Sequence, residues 1–435
     1  MPAINSAGFF VQGVLMFTVR QFITYFVALS LFLSCSASSQ TQNVNRSSQP
    51  GLTVIRAARM LDVNSGRLIS DPVIVVSGNK IISAGTRLDI SAGAKIIDLG
   101  DVTLLPGLID AHTHITYHFD ENGLFGATGD ATPEITLKYA EDNARRTVEA
   151  GFTTIRNLGA GQDVDIRLRD EVRDGKVVGP RILVSGQPLT PDLFSGSNKA
   201  DRLAIIRQFV TARIKEGVDV IKIFEGVNQF GGALESPDEI RAAVELAHQA
   251  GLKVAVHAHE ASAVIAAVKG GCDSIEHGTF MNDEAIQLMV KNHVPLVPTI
   301  YLPTHYLNHK KRFEFDDATW SFFERLKSVN QENLRRAKRA GVKIISGSDA
   351  VAGVHGQNAE EIIWLTKAGL SPSEALKAAT VDAADLLGLA GQVGDIKQGG
   401  FADIIAVSGD PLKDITVLER VAFVMKSGTV IKSDL

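Results

Sequence analysis

Gly107-Leu-Ile-Asp-Ala-His112-Thr-His114-Ile115 closes an apolar run with two histidines one residue apart. Side chains alternate along an extended strand, so His112 and His114 point to the same side. Two imidazoles on one face at the end of a rigid strand can grip one metal ion. Taken alone, the stretch reads more simply as a core strand followed by surface histidines.

Working outward, strands and helices alternate after Pro106. The strand signals are 107–114, 151–158, 181–185, 218–224, 253–259, 273–277, 295–301 and 343–349. Amphipathic runs separate them at 132–150, 201–215 and 236–249. The last opens on Ser236-Pro-Asp-Glu239, a capping-box pattern with Pro at the first helical position. Eight strands alternating with helices predict an α/β fold, a (β/α)8 TIM-type barrel over 107–390. No Gly-rich phosphate fingerprint follows the first strand, which sets a doubly wound sheet second. Short strand and turn signals fill 51–106, with a turn at Ser77-Gly78-Asn79, and return over 391–435. Both ends together predict one small composite β-sandwich.

Before Gly51 the pattern is different. Phe22 to Leu33 is a nearly unbroken apolar run, too short to span a bilayer comfortably and matched to the core of a signal peptide over 1–35. Translation from Met1 or from Met16 fits this reading. Leu31-Phe-Leu-Ser-Cys35 resembles a bacterial lipoprotein signal, with Cys35 as the lipid-bearing first mature residue. Phe32 departs from that pattern, and simple secretion is the alternative. The Ser/Gln/Asn-rich run 36–50 reads as a flexible tether. These features predict export to the periplasm or attachment to a membrane.

The chain has 44 basic and 49 acidic residues, for a net charge of −5, so nothing points to nucleic acid as a partner. Two cysteines far apart exclude a disulfide framework, and Cys272 reads as a small buried hydrophobe. Nothing in the sequence sets the oligomeric state.

The polar residues at the strand ends line up on the barrel scaffold: His112 and His114, Lys222, His257 and His259, His277, and Asp349. Barrel enzymes build their sites on that rim. Each residue alone has a structural reading, a satisfied core histidine or a lysine reaching to the surface. Five strands delivering ligand-type residues to one rim make a metal site the better account. His257 and His259 share a face, so spacing does not choose between them. His118, Tyr301 and His355 lie just past strands one, seven and eight, and Arg156 ends strand two. All four are candidates to bind a substrate carboxylate or carbonyl, with ordinary loop or ion-pair roles as the alternative.

The chain resembles the metal-dependent amidohydrolase superfamily. The matching segments are Pro-Gly-Leu-Ile-Asp-Ala-His112-Thr-His114, Val-Ile-Lys222-Ile, Val-Ala-Val-His257-Ala-His259, Ser-Ile-Glu-His277-Gly and Gly-Ser-Asp349-Ala. Within it, the chain looks most like the imidazolonepropionase-related branch, which includes Xaa-Pro and Xaa-Arg/Lys dipeptidases. The resemblance implies that His112, His114 and Asp349 hold one divalent ion. It implies a second ion on His257 and His277, with His259 as a neighbour or substrate contact, and a CO2-derived carbamate on Lys222 bridging both. Zinc suits such donors, and Mn2+ or Co2+ also binds them. The implied reaction is amide hydrolysis by metal-activated hydroxide, with Asp349 passing the proton to the leaving amine. The expected substrate is a dipeptide or N-acyl amino acid. Alternatives are a cyclic amide hydrolase or deaminase of the same superfamily and, from another class, a non-catalytic surface binding protein.

Overall fold

The computed structural model describes residues 51–435 except 89, 91–92, 121–122, 126–131, 195 and 226–235. The expected signal peptide, Cys35 and the tether lie outside the described residues. Among the described residues, seven parallel strands carry the α/β part: β1 (Leu108–Thr113), β2 (Phe152–Asn157), β3 (Arg181–Val184), β4 (Val220–Phe224), β5 (Lys253–Glu260), β6 (Ser274–Phe280) and β7 (Leu296–Val297). Helices α1 (Pro133–Glu149), α2 (Val164–Arg173), α3 (Lys199–Glu216), α4 (Pro237–Gln249), α5 (Ala261–Gly270) and α6 (Asp283–Asn292) alternate with them. Every residue of β1 and of β2 is buried. Strands covered on both faces read as continuous apolar runs, which is why the sequence marks them so plainly.

The strands pair as β3-β2-β1 and β4-β5-β6-β7. The chain beyond β3 reaches β4, where Leu189 N–H donates to Lys222 O at 2.9 Å and Phe224 N–H to Leu189 O at 2.9 Å. The eighth predicted strand, 343–349, is not a regular strand. It is extended chain held by bridges, Leu296 to Ile344 on one side and Thr113 to Ala350 on the other. Gly347 and the positive φ of Asp349 (+53°) explain this, because neither suits a regular ladder. The seventh strand also shrinks, from the expected 295–301 to Leu296–Val297.

At α4 the Ser236 side chain caps Asp238 N–H as expected, but the box is half formed. Glu239 turns instead to Arg202 at 3.0 Å. After β7 come α7 (Leu302–Asn308), the long α8 (Asp317–Ala340) and α9 (Ala359–Lys367).

Strands from both ends of the described chain share one six-stranded sheet. Its order is Thr429–Ser433, Val421–Lys426, Ile404–Ser408, Val102–Pro106, Arg59–Asp62 and Arg67–Ser70. A four-stranded sheet built from Lys80–Gly85, Val73–Ser77, Leu52–Arg56 and Lys95–Asp98 accompanies it. Ile55, Ile74, Ile81, Leu104, Ile404, Phe423 and Met425 form their common apolar core. Cys272 is buried and free, as expected.

Candidate metal centre

The C-terminal end of β1 carries His112, His114 follows its last residue, and the extended segment beside it delivers Asp349. The register is set by backbone: Asp349 N–H donates to His112 O at 2.7 Å, and His114 N–H to Ala350 O at 2.8 Å. His114 Nε2 lies 3.2 Å and His112 Nε2 3.5 Å from Asp349 Oδ1. Gly347 permits this closeness, because a Cβ there would fall 2.9 Å from His112 Cβ. Ligand-type atoms of His112, His114 and Asp349 lie within 4.8 Å of one another.

A second group of the same compactness joins His257, His259 and His277. Their ring centroids are 4.4 to 4.8 Å apart. The His277 ring sits 5.1 Å from that of His112, so the groups adjoin. The structure thus brings together the histidine pair of β5 without choosing between its members. His277 (φ +74°), Thr299 (φ +49°) and Asp349 (φ +53°) all hold strained backbone at this place. Such residues concentrate at functional sites, where the surroundings can hold them.

Lys222 is 1% exposed, and its Nζ lies 3.5 Å from His112 Nε2. Burial lowers the pKa of its ammonium to about 8, although Glu276 and Asp349 pull the other way. Burial together with the neighbouring histidines and Lys222 holds His257 and His277 well below the usual histidine range. His112 falls to about 4, through burial and then Lys222. Burial alone would raise the Asp349 carboxyl, but His112, His114 and Lys222 hold it well below the usual carboxylate range. Neutral imidazoles with free lone pairs beside an ionised carboxylate are the donor set that a borderline divalent cation takes. His114 turns Nε2 towards Asp349, and its Nδ1 is buried without a hydrogen-bond partner among the described residues. The residues fit a metal centre.

The expected substrate contacts fare differently. Arg156 is 2% exposed and spends its guanidinium on Glu276 at 2.8 Å and Ala111 O at 2.6 Å, the ion-pair alternative named for it. His355 is buried and engaged with Thr147 Oγ1 at 3.2 Å and His114 O at 3.3 Å, so it backs the end of β1. The Tyr301 ring packs towards Trp364 of α9, with its pKa raised to about 12 by burial and then by Glu360 and Glu419. His118 is buried, stacked on Tyr139 at 4.1 Å with Nδ1 on Thr116 O. Residues just past a strand end turn with their loops, and spacing along the chain does not report that turn.

Sequence reasoning missed the cavity that opens beside His114. It holds about 260 Å³ and is lined by Thr116, Tyr117, Gln162, Gln187, Pro188 and Phe224 among others. Tyr117 stacks on the His114 ring at 4.9 Å, and Phe224 lies 4.7 Å from the His257 ring. Tyr117 and Phe224 each lie within three residues of a named ligand, which is the signal that could have found them.

Comparison with known proteins gives concordant matches. The model of the family described as "Amidohydrolase family" matches residues 103–431. Ochratoxinase of Aspergillus niger is 27% identical over 435 aligned positions, covering 88% of this chain and 87% of that one. A crystal structure of a Xaa-Pro dipeptidase with methionine in its active site superposes with a TM-score of 0.79 at 33% identity, covering 87% of this chain and 99% of that one. A prolidase complexed with N-methylphosphonate-L-proline gives 0.80 at 28% identity, with 88% and 100% covered.

Proposed function

This chain belongs to the amidohydrolase family and is a hydrolase acting on C–N bonds, and from that premise we propose an exported, binuclear-metal enzyme that cleaves the amide bond of a dipeptide or N-acyl amino acid. The observation that carries this reading is the pair of adjoining ligand groups, His112–His114–Asp349 and His257–His259–His277, with buried Lys222 against them. In this reading β1 to β7 and segment 343–349 close a (β/α)8 barrel over 107–390. Segments 51–106 and 391–435 form its composite sandwich.

His112, His114 and Asp349 would hold one ion and His257 with His277 the other, His259 standing beside them. Bound there, divalent ions such as Zn2+ would polarise the scissile carbonyl and acidify a water molecule. The chain's own residues do the rest. At pH 7 an amine of pKa about 8 is neutral in roughly a tenth of molecules. That neutral Lys222 nitrogen attacks the carbon of CO2 and sheds one proton, which leaves an anionic carbamate where an ammonium would repel cations. Asp349, held ionised, takes a proton from the attacking water and returns it to the departing amine nitrogen. The uncharged cavity at Tyr117 and Phe224 takes a substituent of the substrate next to the reacting bond.

The peptide-like substrate is supported by the similarity to a Xaa-Pro dipeptidase and to a prolidase. A dipeptide and N-acyl amino acid library, screened with added Zn2+ or Mn2+, tests it. Hydrolysis of at least one class is expected. Cleavage of cyclic amides alone, or deamination alone, would replace the peptide reading. Export and lipid attachment at Cys35 rest on 1–35, and Cys35→Ala should shift the protein out of the membrane fraction. Unchanged partitioning would remove the anchor from the account.

A further inference from the structure

We propose that Glu276, anchored by Arg156 and Ser274, is a positioning residue that fixes the tautomer of His112 so that Nε2 presents its lone pair to the metal centre. The consequence for metal holding rests on the reading above; the tautomer itself does not.

Glu276 lies on β6 one residue before His277, is fully buried, and reaches across to β1. Its Oε2 stands 2.8 Å from His112 Nδ1. The other oxygen, Oε1, accepts from Ser274 Oγ at 2.6 Å and from Arg156 Nη2 at 2.8 Å. Arg156 of β2 in turn donates from Nε to Ala111 O at 2.6 Å, on the residue just before His112. Three strands therefore converge on one imidazole.

A carboxylate paired with arginine only accepts, so the proton of neutral His112 must sit on Nδ1. Nε2 is then an acceptor, and it is the atom that faces Lys222 Nζ and Asp349 Oδ1, each at 3.5 Å. Among the described residues, the carboxylate that His114 and His277 approach is that of Asp349, a member of the first ligand group itself, at 3.2 and 4.0 Å. His277 and His259 meet hydroxyls, on Thr299 at 2.7 Å and Thr279 at 3.0 Å, and a hydroxyl can give or take a proton. His114 Nδ1 has no hydrogen-bond partner among the described residues. Histidine ligands of metals commonly lean on an acceptor of this kind, and losing it costs about 10- to 100-fold in metal affinity. Here the acceptor for a residue of the first ligand group rides on the strand of the second, so the two groups are coupled through Glu276.

The decisive variant is Glu276→Gln. Arg156 and Ser274 are donors and would claim the amide oxygen, which turns the amide NH2 towards His112 Nδ1. Nδ1 must then accept, and the proton moves to Nε2. Nitrogen-15 NMR of histidine-labelled, metal-free protein reads this directly. Wild-type His112 should carry its proton on Nδ1, and E276Q should carry it on Nε2 with the far-ultraviolet spectrum unchanged. On zinc loading, chelator competition should show one ion bound about 10- to 100-fold more weakly in E276Q. An unchanged tautomer in E276Q overturns the proposal. Should E276Q not fold, a wild-type proton on Nε2 overturns it equally. Wild-type protein that shows the Nδ1 tautomer yet binds no metal would refute the metalloenzyme reading and leave the role of Glu276 in fixing the tautomer intact.

Discussion

Replacing Gly347 by alanine probes the close approach on which the first ligand group depends. A Cβ at Gly347 would lie 2.3 Å from Val297 Cγ1, 2.9 Å from His112 Cβ and 3.0 Å from His112 N. Carbon atoms in contact settle at about 3.5 Å or beyond, so the new methyl is about 1.2 Å too close to Val297 and about 0.6 Å too close to His112. Val297 is fully buried in β7, packed in an apolar cluster with Ile109, Ala111 and Ile345. The segment must therefore move off β1, and it carries Asp349 two residues further on. Overpacking of this kind costs about 1–3 kcal/mol. A shift of roughly half an ångström at His112 or Asp349 also exceeds the tolerance of a working site, and a displacement near 1 Å costs about 100-fold in rate. Gly347→Ala should lower stability in urea unfolding by about 1–3 kcal/mol and kcat/KM by about 10- to 100-fold. Gly85→Ala, whose nearest neighbour would be Leu88 Cδ2 at 3.4 Å, is the control and should change neither much. If G347A matches wild type in stability to within about 0.5 kcal/mol and in kcat/KM, the steric argument is wrong.

Asp349→Asn keeps the shape of the side chain but removes the proton carrier, and turnover should fall by about 10³-fold with the fold retained; undiminished turnover would defeat its assigned role. Lys222→Met keeps the apolar stem and removes the nitrogen, so metal content should drop and turnover fall about 10- to 100-fold, as metal analysis and kinetics would show. Glu361 is fully buried, its oxygens accepting from Ile300 and Tyr301 N–H at 3.0 and 2.9 Å, and burial raises its carboxyl to about 8. A carboxyl raised in the folded state contributes stability that is full below its unfolded value of 4.5 and lost as pH rises towards about 8. Urea midpoints measured from pH 5 to 8 should therefore fall less steeply in Glu361→Gln than in wild type; parallel slopes would contradict the raised carboxyl.

Much of this arrangement was legible in the sequence, for physical reasons that differ by residue. The alternation of side chains along a strand is enough to place His112 with His114, and His257 with His259. Strands buried on both faces announce themselves as apolar runs, as 107–114 does. Four short strands, Arg59–Asp62, Arg67–Ser70, Lys95–Asp98 and Val102–Pro106, escape a reading by pattern, because four or five residues carry too little periodicity. Segment 343–349 has the composition of a strand, but Gly347 and the left-handed Asp349 break its ladder. Arg156, Tyr301 and His355 sit where a substrate contact would be expected in sequence, yet each turns to a partner from another element. The direction of a side chain beyond a strand end is a tertiary property. Glu276 left a faint mark, an acid inside an apolar strand and adjacent to a ligand histidine. A buried charge needs a partner, and the sequence does not say that the partners are His112 and Arg156.

The most direct test of the central claim is elemental analysis of the purified full-length protein after zinc loading and gel filtration. The paired ligand groups predict two divalent ions per chain. A content near zero would contradict the metalloenzyme account, and a content fixed at one would contradict the pairing.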